Sequence, residues 1–369
     1  MKKYVFQILF LILCSKAMMA QELIKGRVID AETNEILPFA TVFVVGSSIG
    51  TSTNERGEFS FQVPFGTIKI GASFIGYAPI SATFETKQLH AKTLTFKLEP
   101  ISKELLEVKI EEKRSKKWLR DFKTFKREFL GVNPNSDFYD IENKNAIRLT
   151  WEDNILKASC AEPIVILNKK LGYKVICMLQ EFTYQSNGDM FYMGITRFEA
   201  LKAEHEKEQS LWNKNRREAY LGSPNHFFKS LITHQVEKNQ FQVIKDTTLS
   251  FMPNNFYEKY SNPTYQVNLD KMVEADSANH QFILHLNKTL EVVYLGKFND
   301  FPNFRYRTMH HEFTRIEPTN QELKYLTQQG ELISPHAIKF SGSMGNYRIG
   351  MALPSDYELE PQENQNNDN

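Results

Sequence analysis

Six side chains able to do chemistry fall within eleven residues: Arg216, Arg217, Glu218, Tyr220, Ser223 and His226. Gly222 closes a helix-favouring stretch just before Ser223 and Pro224, which suit the cap and first position of a second helix. Unpaired N–H groups at such a helix start, with arginine and histidine beside them, form a place for a carboxylate or phosphate. The same residues also have a purely structural reading, in which Ser223 caps, an arginine pairs with Glu218 and His226 satisfies a buried polar group. That reading is favoured, because one local cluster without a distant partner rarely makes an active site. Arg216, Arg217, Tyr220, Ser223 and His226 are therefore carried forward as ligand-binding candidates. No catalytic residue, metal ligand or cofactor is assigned.

Other reactive patterns are weaker. Gly46-Ser47-Ser48-Ile49-Gly50 matches G-x-S-x-G, but a nucleophile elbow needs a strand-to-helix turn, and both flanks here read as strands. His205-Glu206-Lys207-Glu208 fits the H-x-x-E start of a zinc site, inside a run of alternating charge where a solvated helical face is expected. Adjacent His310 and His311, next to Glu312, would point to opposite faces of a strand and could not share one metal. Cys160 and Cys177 lie in the apolar stretches LKASC and YKVICML without a C-x-x-C neighbour, so they read as small buried hydrophobes, with an exported disulfide as the alternative.

The elements that must carry these residues change along the chain. Residues 22–98 alternate with period two: Phe59, Phe61, Val63; Ile68, Ile70, Ala72, Phe74; Ile80, Ala82, Phe84; Leu94, Phe96, Leu98. Short half-buried strands with turns at Asn54-Glu55-Arg56-Gly57, Phe65-Gly66 and Gly76-Tyr77 predict an antiparallel β-sandwich.

Within residues 25–77, Gly26-Arg27-Val28, Asp30, Leu37-Pro38 before Ala40, Gly50-Thr51, Asn54 to Gly57 with Phe59, and Ser73-Phe74-Ile75-Gly76-Tyr77 stand in one order. This run resembles the carboxypeptidase-like regulatory domain of Bacteroidetes envelope proteins. The resemblance implies a transthyretin-like seven-stranded sandwich and a non-catalytic accessory role, often ahead of the plug of TonB-dependent transporters. It concerns the regulatory and not the catalytic domain, which weakens the zinc reading at His205. About 270 residues follow, too few for a plug and a 22-stranded barrel at about 10 residues per strand plus turns, so a transporter is excluded.

Residues 99–117 are charge-rich and read as a linker, with LLEVKI as a possible last strand. Beyond it Trp118, Phe122, Phe125 and Phe129 mark one face of a helix ending at Gly131, flanked by Lys116, Lys117, Arg120, Lys123, Lys126 and Arg127. A basic amphipathic helix can lie on an anionic membrane; more often its aromatic stripe docks on its own domain, and that reading is preferred. AIRLTW, ILKASC, PIVIL, YKVICMLQEFTYQ and DMFYMGITRF predict an antiparallel meander, followed by the helix-favouring EALKAEHEKEQSLWNKNRREAYLG and the helix after Ser223. Strand-like stretches resume in FQVI, FILHL, TLEVVYLG, FRYRTMHHEFTRI, AIKF and YRIGMAL. The fold expected is thus mainly β, a sandwich at 21–98 followed by an antiparallel α+β region at 118–354 with a helical pair. WLRDFKTFKREFLG, NKKLGYKV, WNKNRREAYLGSPNHFFKSL and LPSDYELE are similar to the corresponding region of uncharacterised Bacteroidetes envelope proteins, a resemblance that implies no activity.

Lys2 and Lys3 before the apolar run Tyr4 to Leu13, then small residues up to Ala20, read as a signal peptide over residues 1–20. Leu13 stands where a lipoprotein site needs a small residue, which argues against lipidation at Cys14. The chain carries 45 basic and 44 acidic residues, +1 overall; cleavage would remove three lysines and leave −2. A balance this even excludes a nucleic-acid partner driven by net charge, and no segment of the remaining chain has the roughly 20 apolar residues of a membrane span. The acidic tail from 355 to 369 reads as disordered. Together these features predict an exported, non-catalytic interaction or scaffolding module at the periplasmic side of the outer membrane, with an envelope protein as partner. A glycan- or peptide-binding protein is the alternative, and a serine hydrolase through Ser223 or Ser48 ranks last.

Overall fold

A computed structural model describes residues 21–89, 92–101, 114–132, 136–245, 262–296, 313–320 and 322–359. The signal-peptide reading with Cys14 and Ala20, the LLEVKI strand, the His310-His311-Glu312 triplet and residues 360–369 of the acidic tail lie outside the described residues. The chain divides into two compact units, Met1–Val44 with Ile49–Pro100 and Val45–Ser48 with Ile101–Asn369.

The first unit is a seven-stranded sandwich. One sheet holds β4 (Glu58–Pro64), β1 (Gln21–Asp30) and β7 (Thr93–Leu98); the other holds β3 (Gly50–Ser52), β2 (Thr41–Val44), β5 (Thr67–Ser73) and β6 (Ile80–Glu85), in those orders. All pairs are antiparallel except β1 with β7. The period-two residues meet between the sheets, where Ile24, Val28, Val42, Phe59, Val63, Ile70, Ala72, Phe96 and Leu98 are buried. Ala82 departs from the expected pattern and is exposed, because β6 is the edge of its sheet. Gly26 lies under Phe59, and a Cβ there would stand 2.4 Å from the ring. Only glycine allows that approach.

In the second unit, α1 (Lys116–Leu130) starts at Ser115, whose hydroxyl accepts from the Trp118 N–H, and stops at Gly131 in the left-handed conformation. A sheet follows in the order β8 (Tyr139–Ile141), β11 (Ile164–Asn168), β12 (Tyr173–Gln185), β10 (Ile155–Cys160), β9 (Ile147–Glu152), with β13 (Met190–Ala200) also paired to the long β12. The aromatic stripe of α1 docks on this sheet: Phe125 and Phe129 are fully buried and pack edge-on against Phe182. Cys160 and Cys177 are free thiols, and burial pushes the Cys177 pKa up to about 12.

The predicted helical pair is α2 (Glu206–Tyr220) and α3 (Pro224–Ile232). The first begins later than its composition suggests, because β13 extends through Glu199 and Ala200. Beyond them are two sheets, β14 (Phe241–Lys245), β17 (Leu290–Tyr294), β18 (Phe313–Pro318), β20 (Ile338–Gly342) and β15 (Val273–Asp276), β16 (Gln281–Leu284), β19 (Lys324–Leu326), around a second core of Phe227, Phe228, Leu231, Val292, Ile316 and Leu326. YRIGMAL forms no strand. Its Ile349 enters the core under α1 while Gly350 N–H donates to the Leu130 carbonyl, so its apolar residues follow the helix end rather than a ladder.

Candidate functional site

The residues matching the regulatory-domain pattern build one end of the sandwich. Asp30 ends β1: its Oδ1 accepts from the N–H groups of Glu32 (2.7 Å) and Thr33 (2.9 Å), and its Oδ2 accepts from the Tyr77 hydroxyl (2.7 Å). The Thr33 N–H and the Tyr77 hydroxyl hold the Asp30 carboxyl below the usual carboxylate range. Tyr77 thereby braces the loop after β5. Buried Thr53 clamps the loop before β2 in the same manner. Its hydroxyl donates to the Leu37 carbonyl (2.7 Å) and accepts from Ala40 N–H (2.9 Å), while its carbonyl accepts from Phe39 N–H (3.1 Å). Asn54 Oδ1 accepts from the N–H groups of Arg56 and Glu58, and Gly57 turns the chain at φ 70°.

With Leu37 and Ala40 drawn inward, Phe39 is left outside at φ 61°, a conformation uncommon for a residue with a Cβ. It is 68% exposed, Ile75 94% and Ile36 48%. All three lie at one end of the sandwich, since Thr41 pairs with Ser73, two residues from Phe39 and Ile75 respectively, and Ile36 abuts Gly57. Single exposed apolar residues need no explanation; here three stand on braced loops at the same end. In the sequence, Ile75 is named only as part of the run Ser73 to Tyr77, and Ile36 and Phe39 carry no expectation. A signal was present in the consecutive Phe74 and Ile75 at a strand end, which cannot both face inward.

Of the five candidates, Tyr220, Ser223 and His226 meet at the start of α3, while Arg216 is engaged by the turn before β12. Ser223 caps α3, its hydroxyl accepting from His226 N–H at 3.1 Å. His226 is buried with its ring 4.9 Å from those of Tyr220 and Phe241 and 5.6 Å from that of Tyr294. Its Nδ1 accepts from Gly222 N–H (3.1 Å), which leaves the ring proton on Nε2 in the neutral form. Burial pushes its pKa down to about 4. Arg216 Nε and Nη2 donate to the carbonyls of Leu171 (2.7 Å) and Gly172 (3.1 Å), with the guanidinium 4.2 Å above the Tyr173 ring. Trp212 Nε1 and Asn215 Nδ2 take the two preceding carbonyls, Lys169 and Lys170. Helix α2 therefore clasps the turn from β11 to β12, which joins the NKKLGYKV and WNKNRREAY segments. Arg217 stands apart from this clasp, half exposed on α2.

Neither serine has the geometry of an activated nucleophile. Ser223 accepts a capping bond, and Ser48 Oγ donates to Asp356 Oδ2 at 2.5 Å, a carboxylate rather than a histidine. His205 is exposed at the start of α2, and Glu208 accepts from Glu204 N–H. Among the described residues no group of three His, Cys, Asp or Glu side chains is placed to hold a metal ion, and no helix is long and apolar enough to cross a membrane.

Residues 24–110 match the model of the CarboxypepD_reg-like domain. No curated protein matches the chain. Among solved structures, a DUF3823 family protein from Bacteroides ovatus is similar at 9% identity over 50% of this chain and 83% of that one, with a TM-score of 0.18. Another from Parabacteroides merdae shows 13% identity over 52% and 84%, with a TM-score of 0.16. Scores this low give neither likeness weight for fold or function.

Proposed function

We propose that this chain, which carries a CarboxypepD_reg-like domain at residues 24–110, is an exported, non-catalytic interaction or scaffolding module at the periplasmic side of the outer membrane, and that its partner is an envelope protein. The observation that carries the reading is the apolar end of the sandwich, where Ile36, Phe39 and Ile75 are held outward by Thr53, Asp30 and Tyr77. A photo-crosslinking residue at Ile75 should capture one defined envelope protein in intact cells, whereas the same probe at Lys69, exposed on β5 away from the loops, should not. Equal labelling from both positions, or none from Ile75, would overturn the reading. A glycan- or peptide-binding role at the Arg216–His226 corner has less support, because Arg216 Nε and Nη2 and His226 Nδ1 are engaged by the protein's own backbone.

A further inference from the structure

We infer that the outward face of α1 is a docking surface for an anionic phospholipid bilayer. The helix carries two stripes with the same 4-3-4 spacing, offset by two residues and hence by about 200°. Trp118, Phe122, Phe125 and Phe129 face the sheet, and Lys116, Arg120, Lys123 and Arg127 face solvent. The aromatic stripe is occupied, with Trp118 stacked on Phe122 and donating to the Ile147 carbonyl. The cationic stripe runs about 16 Å along the axis, flanked by exposed Lys117 and partly exposed Lys126.

The helix's two acids each pair with one arginine of the stripe, Asp121 with Arg120 (3.6 Å) and Glu128 with Arg127 (2.6 Å), which leaves the six cations of the helix in excess by four. Asp121 is buried and the Glu128 side chain is 17% exposed, so the charge left facing solvent on this helix is positive. Leu119, 55% exposed, stands on the flank of the cationic stripe.

A net excess of positive charge over this length, with an exposed leucine on its flank, is complementary to a layer of anionic headgroups over acyl chains. The inference stands independently of the protein partner proposed for the sandwich, because it rests on different residues in the other unit.

Co-sedimentation tests it. The probe is vesicles of phosphatidylcholine with or without 30% phosphatidylglycerol, and the protein lacks residues 1–20, whose apolar run would itself enter lipid. Binding is expected to the anionic vesicles only and to fall as salt rises. Each cation removed should lower partitioning about fivefold, so Lys116→Gln, Arg120→Gln, Lys123→Gln and Arg127→Gln together should lower it more than 100-fold. Glutamine keeps the helix, and an unchanged melting temperature verifies the fold. The quadruple variant Lys25→Gln, Lys69→Gln, Lys87→Gln and Lys97→Gln makes the same change of net charge on the sandwich and should bind as the parent does. Leu119→Gln should cost about tenfold on vesicles and nothing on a soluble anionic polysaccharide. Equal loss in both quadruple variants, no vesicle binding, or capture by polysaccharide alone would each overturn the inference.

Discussion

Phe39 shows how one residue can be held against its own preference. Leu37 and Ala40 are drawn to Thr53 on either side, so the chain between them must turn back, and the left-handed φ falls on a phenylalanine rather than a glycine. Phe39→Gly should therefore stabilise the sandwich by about 1 kcal/mol in urea unfolding while lowering capture of the partner. Gain of stability with undiminished capture would remove Phe39 from the interface. At His226 the consequence is a pH dependence. Its folded pKa of about 4 lies below the ordinary 6.5, so the unfolded chain binds the proton first as pH falls. The stability held above pH 6.5 is lost progressively down to pH 4, at about 1.4 kcal/mol per pH unit. Urea midpoints at pH 7 and pH 5.5 should differ accordingly, and the difference should shrink in His226→Gln.

Among the elements, α2 is held by side chain to backbone bonds as well as by apolar packing. Four successive carbonyls, Lys169 to Gly172, accept from Trp212, Asn215 and Arg216, and Gly172 at φ 66° leaves room for the indole where a Cβ would stand 2.2 Å away. Arg216→Lys cannot reach two carbonyls from one planar fork, so it should cost about 2 kcal/mol in denaturant unfolding despite keeping the charge. A cost near zero would show that the clasp is redundant. Part of the helices was legible in the residues: Gly131 ends α1, and Ser223 with Pro224 starts α3, whereas the Ser115 cap of α1 lies within the stretch read as linker. The partners of α2 were not, because its polar residues read equally as a solvated face until the 169–172 turn is placed against them. Strands β15 and β19, of four and three residues, carry too little pattern to be read ahead of their pairing.

For the molecule as a whole, the export reading predicts that the mature protein begins at Gln21. Intact-mass measurement on an osmotic-shock fraction should find that terminus without a lipid adduct; a mass retaining residues 1–20, or one with acyl chains on Cys14, would refute it. Each unit closes its own core, around Val42 and Phe59 in the sandwich and around Phe125, Phe182, Phe227 and Val292 in the second unit.

What the residues determined by themselves was local. Period-two alternation set the sandwich strands, glycines and asparagines set their turns, caps set two of the helices, and the ordered motifs from Gly26 to Tyr77 identified the first domain. What only the tertiary structure decided was which polar and apolar groups are used up inside. The conspicuous cluster at Arg216, Ser223 and His226 is largely engaged by backbone groups, some more than forty residues away in sequence, whereas Ile36, Phe39 and Ile75, none of them marked as exposed by the pattern of the chain, are left facing water. Local conformation follows from the side chains of near neighbours; exposure and hydrogen-bond satisfaction depend on which distant segment arrives, and that partner is written elsewhere in the chain.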